Sequence, residues 1–327
     1  MTEIILGNAG PKEIKVSLSA LIQTRLLIQA NSGGGKSYTV KRLLEQSYGK
    51  VQQIIIDPEG EYRSLQEKFD YILIGNNGDV DLEFDSKSVA ALPAQLLELR
   101  ASVVIDLSDL SLGQKTLFVA EFLNAMLKVG KHLWRPCLVI IDEAHLFCPQ
   151  VGDAASKQAV IDLCTRGRKR RFCAVLATQR ISKLSKDAAA ELLNKLIGRT
   201  MLDIDRKRAG DELLISSRKK LAKLRELEPG EFYAFGPAIS SVPIKFKVGL
   251  IDTSHPQLGI IQSIQAEALQ AMIDLRAKSR DERKALLYGV PIEVSYEVKT
   301  SREVKGWGKG WHKHSHDHSV AARKGKR

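Results

Sequence analysis

A glycine-rich segment near the start of the chain carries a lysine and a serine in the order that phosphate binding requires. Residues 30–37 read Ala-Asn-Ser-Gly-Gly-Gly-Lys-Ser, between an apolar run and a segment with helical periodicity. Glycines let backbone N–H groups point inward at a phosphate, and the start of the next helix adds positive partial charge. We therefore predict a nucleotide-binding loop in which Lys36 contacts the β- and γ-phosphates and Ser37 binds Mg²⁺.

The alternative is an ordinary glycine turn, which the lysine, the serine and the flanking strand and helix disfavour. The predicted nucleotide-binding residues are Asn31, Ser32, Gly33, Gly34, Gly35, Lys36, Ser37 and Tyr38.

An aliphatic run that ends in two carboxylates supplies the second half of such a site. Residues 137–141 read Cys-Leu-Val-Ile-Ile, and Asp142 and Glu143 follow directly. In a nucleotide site, Asp142 would share Mg²⁺ with Ser37, while Glu143 would be the base that polarises the attacking water. The predicted cofactors are therefore ATP and Mg²⁺. A core strand that merely exits into an acidic surface is the alternative.

A third polar group follows another apolar run. Residues 172–177 lead into Thr178, Gln179 and Arg180. Ligands of open α/β sheets bind at the carboxyl edge of the strands, so Gln179 is predicted to hydrogen-bond the γ-phosphate or the water and to report hydrolysis. Its alternative role is that of a polar residue that only ends a strand.

Short β-branched runs alternate with helical patterns through the first 250 residues, as in a parallel sheet covered by helices. This predicts an α/β fold of the RecA-like P-loop NTPase type, with a mainly parallel central sheet flanked by helices, plus a C-terminal helical extension and a basic tail. The predicted strands are residues 25–30, 51–57, 71–74, 102–107, 137–142, 172–178, 198–202 and 231–235, and the predicted helices are residues 36–46, 115–129, 156–168 and 188–196. The predicted parts are an ATPase domain at residues 1–257, a helical extension at 258–290 and a basic His- and Trp-containing tail at 291–327.

Composition restricts the class of protein. With 44% hydrophobic and 27% charged residues among 327, the chain has the balance of a soluble globular protein. No apolar run approaches the roughly 20 residues of a membrane helix, and the first residues lack a signal-peptide layout, so a cytoplasmic protein without membrane contact is expected. The four cysteines form no C-x-x-C pair, and we expect buried thiols.

Positive charge points to a polyanionic partner. The net charge is +12, and residues 299–327 carry nine lysines and arginines but two acidic residues. A second cluster, Arg168, Lys169, Arg170 and Arg171, is a candidate for DNA binding, with a subunit interface or a solvated face as alternatives. The alternating histidines 312, 314, 316 and 318 could chelate a metal, although a solvated basic tail is the more ordinary interpretation.

Taken in order, these motifs resemble the HerA/FtsK superfamily, and its HerA-like, DUF87-type proteins in particular, over residues 15–250. The resemblance depends on the loop at residues 31–37, on Asp-Pro-Glu-Gly-Glu-Tyr at 57–62, on Ile-Asp-Glu-Ala-His at 141–145, on Ala-Thr-Gln-Arg at 177–180 and on Pro-Gly-Glu at 229–231.

The resemblance implies a ring, expected to be a hexamer of this chain, that hydrolyses ATP between subunits and moves double-stranded DNA as a helicase or translocase, with DNA-stimulated turnover. In such rings an arginine enters the neighbour's site and offsets charge on the γ-phosphate. Arg199 is the candidate, with Arg166, Arg168 and Arg180 as rivals. Glu143, Gln179 and Arg199 are thus the predicted catalytic residues.

A non-motor role is the competing hypothesis. HerA-like translocases commonly carry a β-barrel ahead of the ATPase, whereas about 25 residues precede the first predicted core strand here, too few for a barrel. The chain could instead be an ATP-gated oligomeric scaffold that binds and switches a nuclease or other effector. A response of ATP turnover to DNA distinguishes the two hypotheses.

Overall fold

Aliphatic and β-branched runs form the centre of one large sheet. The computed structural model describes residues 2–76, 79–83, 88–255, 274 and 276–278. The chain divides into two compact units, Met1–Gln257 and Leu258–Arg327, and every element below belongs to the first. Apart from residues 274 and 276–278, the predicted extension at 258–290 and tail at 291–327 lie outside the described residues.

The sheet contains twelve strands within the described part of the chain. In chain order they are β1 (Glu3–Ala9), β2 (Lys12–Ser17), β3 (Leu26–Gln29), β4 (Gln52–Asp57), β5 (Ile72–Gly75), β6 (Leu82–Glu83), β7 (Val103–Asp106), β8 (Cys137–Ile141), β9 (Phe172–Thr178), β10 (Asn194–Ile197), β11 (Glu231–Gly236) and β12 (Ser240–Val248).

The α-helices of the described residues connect most of these strands. They are α1 (Leu18–Thr24), α2 (Lys36–Ser47), α3 (Leu92–Leu99), α4 (Leu112–Lys128), α5 (Ala144–Phe147), α6 (Lys157–Arg166), α7 (Lys186–Ala190), α8 (Asp203–Glu212) and α9 (Arg218–Ala222). The longest, α4, begins with a capping box in which Ser111 and Gln114 satisfy each other's backbone N–H groups.

The strands lie in the order β2-β1-β12-β11-β10-β3-β9-β8-β4-β7-β5-β6. Neighbours from β10 to β6 pair in parallel, whereas β2, β1, β12 and β11 add an antiparallel extension. The prediction of a mainly parallel α/β sheet flanked by helices is confirmed. Parallel pairing also brings the carboxyl ends of β3, β9, β8 and β4 to the same edge, which is where Lys36, Asp142, Glu143 and Gln179 lie.

Both faces of the sheet are covered. Successive side chains of a strand point to opposite faces, so Leu27 joins one apolar core with Phe122 of α4, while Leu26 and Ile28 join the other with Leu43 of α2. Every residue of β8 and β9 is buried. This double burial explains why their sequences are continuously apolar rather than alternating.

The region after β9 differs from the prediction. The helix predicted at 188–196 ends at Ala190, and the strand predicted at 198–202 is instead Asn194–Ile197. This strand was missed because it contains polar residues, which are uncommon in a buried strand. Asn194 donates to the Thr24 hydroxyl at 2.7 Å, and Lys195 forms a buried ion pair with Glu212. Because these partners come from distant elements, the local pattern could not reveal the strand.

Strands β1, β2, β6 and β12 were also not predicted. The β1–β2 hairpin joins the sheet through β12, whose Val248 lies opposite Gly7. No helix in the described ranges has the length and apolar character needed to cross a bilayer.

Candidate nucleotide-binding site

The glycine-rich loop joins β3 to α2. Gly33 and Gly35 have φ values of 67° and 93°, in the left-handed region that favours glycine. A Cβ atom on Gly35 would lie 2.8 Å from the Gly230 nitrogen, and Gly230 N–H donates to the Gly34 carbonyl at 3.0 Å. The Pro229–Gly230 turn therefore packs directly on the loop, which explains why both segments need glycine.

Acidic side chains surround the cation and the hydroxyl of the loop. The Lys36 ammonium, 5% exposed, forms ion pairs with Asp142 and, at 3.1 Å, with Glu143. The Ser37 hydroxyl donates to the Glu61 carboxylate. Burial lowers the pKa of Lys36, but attraction to Asp142 and Glu143 opposes this, and the net pKa is raised. Lys36 is therefore charged.

Asp142 directly follows the buried strand β8 and is itself completely buried. The Tyr62 hydroxyl donates to Asp142 Oδ2 at 2.9 Å, and the Glu143 backbone N–H donates to Oδ1 at 2.8 Å. With Lys36 as a third partner, both carboxylate oxygens have fixed directions. Tyr62 is fully buried too, so it cannot turn away from Asp142 without leaving the core.

Glu143 has a left-handed backbone, with φ 44° and ψ 41°. Non-glycine residues adopt this conformation at a cost, and such residues cluster at functional sites. The Gln179 side-chain amide donates to Glu143 Oε1 at 2.6 Å, and His145 Nδ1 lies 3.3 Å from Oε2. Burial raises the pKa of Glu143, although Lys36 opposes the shift. A raised pKa suits a general base.

The acidic turn after β4, residues 57–62, carries two further site residues, Glu61 and Tyr62. The Asp57 carboxylate accepts from the backbone N–H groups of Gly60 at 2.8 Å and Tyr62 at 2.9 Å, and burial raises the pKa of Asp57 to about 7. The turn is also held from α4, where the Lys115 ammonium donates to the Pro58 carbonyl at 2.7 Å.

Glu61, Tyr62, His145 and Thr178 were not predicted as site residues. Thr178 Oγ1 lies 3.0 Å from His145 Nδ1, so these two extend the network behind Glu143. The available signal was position: β4 pairs with β8, so a polar turn that follows β4 must lie beside Asp142. Residues 57–62 carry part of the family resemblance, but the sequence assigned them no role.

Arg199 lies beside the loop of its own chain. Its guanidinium Nη2 donates to the Gly33 carbonyl at 3.1 Å, and its backbone carbonyl accepts from Asn31 N–H at 2.9 Å. It follows β10 instead of lying within a strand. The chain just after Arg199 also fixes the Asn31 side chain, whose Oδ1 accepts from Met201 N–H at 2.7 Å. The sequence had predicted a contact of Arg199 with a neighbour's site.

The other predicted residues are placed as follows. Arg180 forms an ion pair with the buried Asp205 at 3.0 Å, so it is held within the subunit. Arg166 pairs with Asp162 at 2.9 Å. The cluster Arg168–Arg171 precedes β9 and therefore lies at the amino edge of the sheet, opposite Lys36. Tyr38 turns its hydroxyl to the Ile251 backbone N–H at 3.2 Å.

The donor set fits ATP with Mg²⁺. Among the described residues, no group of three or more His, Cys, Asp and Glu side chains could hold a metal by itself. Mg²⁺ usually takes one or two protein oxygens together with phosphate oxygens. Ser37 follows Lys36 in the chain, and Asp142 forms an ion pair with Lys36. These two residues could supply that small share, while Lys36 and the glycine backbone would bind phosphate.

Two family models match adjoining parts of the chain. The model described as "Helicase HerA, central domain" matches residues 4–77, which contain the loop and the acidic turn. The model described as "Zonular occludens toxin (Zot)" matches residues 103–210, which contain Asp142, Glu143, Gln179 and Arg199. No curated protein sequence matches the chain significantly.

Solved structures share the fold at low sequence identity. VirB4 of Thermoanaerobacter pseudethanolicus has a TM-score of 0.58 at 16% identity, covering 77% of this chain and 97% of its own. The bacterial conjugative coupling protein TrwB has a TM-score of 0.55 at 12% identity, covering 81% and 96%.

The genome-packaging NTPase B204 from Sulfolobus turreted icosahedral virus 2, solved with ATP-gammaS, has a TM-score of 0.51 at 17% identity, covering 70% of this chain and 99% of its own. The family matches span the glycine-rich loop, the acidic turn after β4 and the strand that precedes Asp142 and Glu143, and the fold agrees with them. These matches make the chain similar to HerA-like proteins of the HerA/FtsK superfamily, and its fold is that of the P-loop ATPases.

Proposed function

We propose that the chain hydrolyses ATP, with Mg²⁺, and works as a ring motor that translocates or remodels double-stranded DNA, as a HerA-like helicase or translocase. The observation that carries the proposal is the convergence of Lys36, Asp142, Glu143 and Gln179 at one edge of the sheet. Separate chain segments supply a phosphate-binding cation, a metal-binding carboxylate with the adjacent base, and an amide that holds the base.

Binding requires the loop to exchange partners. Lys36 would leave the two carboxylates for phosphate oxygens, and Ser37 would leave Glu61 for Mg²⁺. The bound Mg²⁺ would supply positive charge to the β- and γ-phosphates. Asp142 remains oriented through Tyr62, which donates to the oxygen that Lys36 does not contact.

For hydrolysis, Glu143 would accept the proton of the attacking water. The Gln179 amide holds the Glu143 carboxylate and lies on the adjoining strand end, where it can also contact the water or the γ-phosphate. We further propose that Arg199 acts on the nucleotide of its own subunit, because its guanidinium already bonds the loop at Gly33. An arginine that enters the site from a neighbour would then be a residue other than Arg199.

Support for a DNA substrate comes from charge and from relatives. The chain carries a net charge of +12, and B204 is described as a genome-packaging NTPase. Arg168, Lys169, Arg170 and Arg171 are the proposed DNA contacts because they are basic and lie together on the surface. A hexamer of this chain is the proposed assembly.

The test is ATP hydrolysis with and without long double-stranded DNA, on protein whose mass is measured in the same buffer. Strong stimulation of a hexamer supports the motor. Slow turnover that ignores DNA would contradict it and would indicate the effector-switching scaffold, which should then co-purify with a nuclease or other effector.

A further inference from the structure

A cleft lies at the amino edge of the sheet, away from the nucleotide site. It has a volume of ≈ 620 Å³, and its wall is built from residues just before β4, β5, β7 and β8. A five-residue strand such as β8 spans about 16 Å. The cleft is therefore separated from Asp142 by the length of the strand.

Three basic residues line this cleft: Lys50, Arg100 and Arg135. Lys50 and Arg100 are exposed and Arg135 is half-buried. Asp70 is the one carboxylate among the described lining residues. The wall is fixed, because the Gln52 side-chain amide donates at 2.8 Å to each of two carbonyls that flank Arg100, those of Leu96 and Ala101.

The basic cleft is continuous with the cluster before β9. Arg170 stacks over the Trp134 ring at 5.3 Å, and Trp134 is the chain neighbour of Arg135. The Arg171 carbonyl also accepts from the Cys137 N–H at 3.1 Å. We call the resulting set the amino-edge surface, and it consists of Lys50, Arg100, Arg135, Arg168, Lys169 and Arg171.

The cations of the amino-edge surface have no ion-pair partner among the described residues of the subunit. Nearby Arg166 pairs with Asp162, whereas none of the six forms an ion pair in the part of the chain that the structure describes. They precede β9, β8, β4 and β7, which are consecutive in the sheet. Three strand intervals amount to about 14 Å. The charges thus form an extended row.

An extended row of cations fits a polymer of repeating negative charges better than a single anion. Arginine forks match phosphate oxygens, and four of the six residues are arginines. A protein partner would be expected to bury apolar anchors, yet Ile72 is the one large aliphatic lining residue that is exposed.

We propose that the amino-edge surface, including the cleft of Lys50, Arg100 and Arg135, binds the phosphodiester backbone of nucleic acid. Binding occurs on the sheet edge opposite Lys36, so ATP and nucleic acid do not compete for one site. The choice of double-stranded DNA as probe rests on the proposed function, but the contact itself requires no hydrolysis.

The experiment measures binding of fluorescent double-stranded DNA by anisotropy, without nucleotide, over a series of salt concentrations. The test variant is Lys50→Gln/Arg100→Asn/Arg135→Gln; asparagine is chosen because Arg100 has φ 55°, which asparagine tolerates. The matched control, Lys219→Gln/Lys220→Gln/Lys223→Gln, removes the same charge from and just beyond α9, a helix without buried residues.

We expect the affinity of the test variant for DNA to fall about tenfold or more at low salt, and its salt slope to fall by about 0.9 for each phosphate that is no longer neutralised. The control variant should retain the affinity for DNA and the salt slope of the parent. The test and control variants should each keep the ATPase rate that the parent has without DNA. Equal affinity of the test variant and the parent would overturn the proposal, as would equal reductions in test and control.

Two further outcomes separate this proposal from the motor. If the parent binds DNA through these residues but DNA does not change its ATPase rate, binding by the amino-edge surface is supported and the motor function is contradicted. If polyglutamate competes with DNA at equal charge concentration, the surface serves an acidic protein and the nucleic-acid proposal is overturned.

Discussion

The ammonium of Lys36 lies 3.1 Å from the carboxylate of Glu143, so the phosphate-binding cation and the predicted base contact each other directly. Phosphate must therefore compete with Glu143 as well as with Asp142 for Lys36. If Lys36 moved to a phosphate, Glu143 would lose one of the two neighbours that oppose the rise of its pKa, and the Gln179 hydrogen bond would remain. In the proposed mechanism, nucleotide binding and activation of the base are therefore coupled through the Lys36 side chain.

Replacing Lys36 tests the loop. Lys36→Ala should abolish binding of a fluorescent ATP analogue, because the loop loses the cation that contacts the phosphates. The exposed Lys219→Ala is the control and should bind normally. Retained binding in Lys36→Ala would remove the loop from the nucleotide site.

Replacing Glu143 tests the base. Glu143→Gln should lower turnover by about 10²- to 10⁴-fold, the usual contribution of a general base, while ATP stays bound after gel filtration. The amide keeps the size of the side chain and can still hydrogen-bond Gln179. Light scattering should show an unchanged assembly, and normal turnover would disprove the assignment.

Tyr62→Phe tests the support of Asp142. Loss of the 2.9 Å bond from the Tyr62 hydroxyl should weaken the apparent Mg²⁺ affinity by about 10- to 100-fold, as for other outer-shell partners. Tyr71→Phe is the matched control, because the Tyr71 hydroxyl is also buried but bonds Gln53. ATPase titrations with Mg²⁺ should shift for Tyr62→Phe and not for Tyr71→Phe.

Mixed assemblies test the side on which Arg199 acts. Arg199→Ala subunits mixed with Glu143→Gln subunits restore complete sites only if Arg199 crosses to a neighbour. Because Arg199 bonds Gly33 of its own chain at 3.1 Å, we expect each variant to be inactive and the mixture to stay inactive. Recovery of ATPase activity in the mixture would instead show that Arg199 acts in the nucleotide site of a neighbouring subunit.

His145 gives a pH dependence with a defined sign. Burial, helped by Lys183 and Arg180, lowers the pKa of His145 to about 4, against about 6.5 in an unfolded chain. Between these values the unfolded His145 binds a proton that the folded His145 does not, so the contribution of His145 to the free energy of unfolding falls as pH drops. Urea unfolding at pH 7 and about pH 5 should show that the drop in pH is less destabilising for His145→Gln than for the parent. An equal change of the free energy of unfolding in both proteins would contradict the shift.

The sequence determined the chemistry and much of the fold. The glycine-rich loop, the strand before Asp142 and Glu143, and the run before Gln179 are local patterns, because a strand buried on both faces must be apolar throughout. Their shared position also followed, since parallel strands present their carboxyl ends at one edge. Family resemblance, not spacing, singles out residues 57–62.

Only the tertiary structure decided which groups touch. Strand β10 was not predicted because its polar residues Asn194 and Lys195 find their hydrogen-bond and ion-pair partners in distant parts of the chain. Tyr62 reaches Asp142 because β4 pairs with β8, and Arg199 reaches Gly33 because β10 pairs with β3. The row of basic residues at the amino edge likewise joins segments from Lys50 to Arg171 through strand order. Local propensity contains no information about strand order, because long-range pairing selects it.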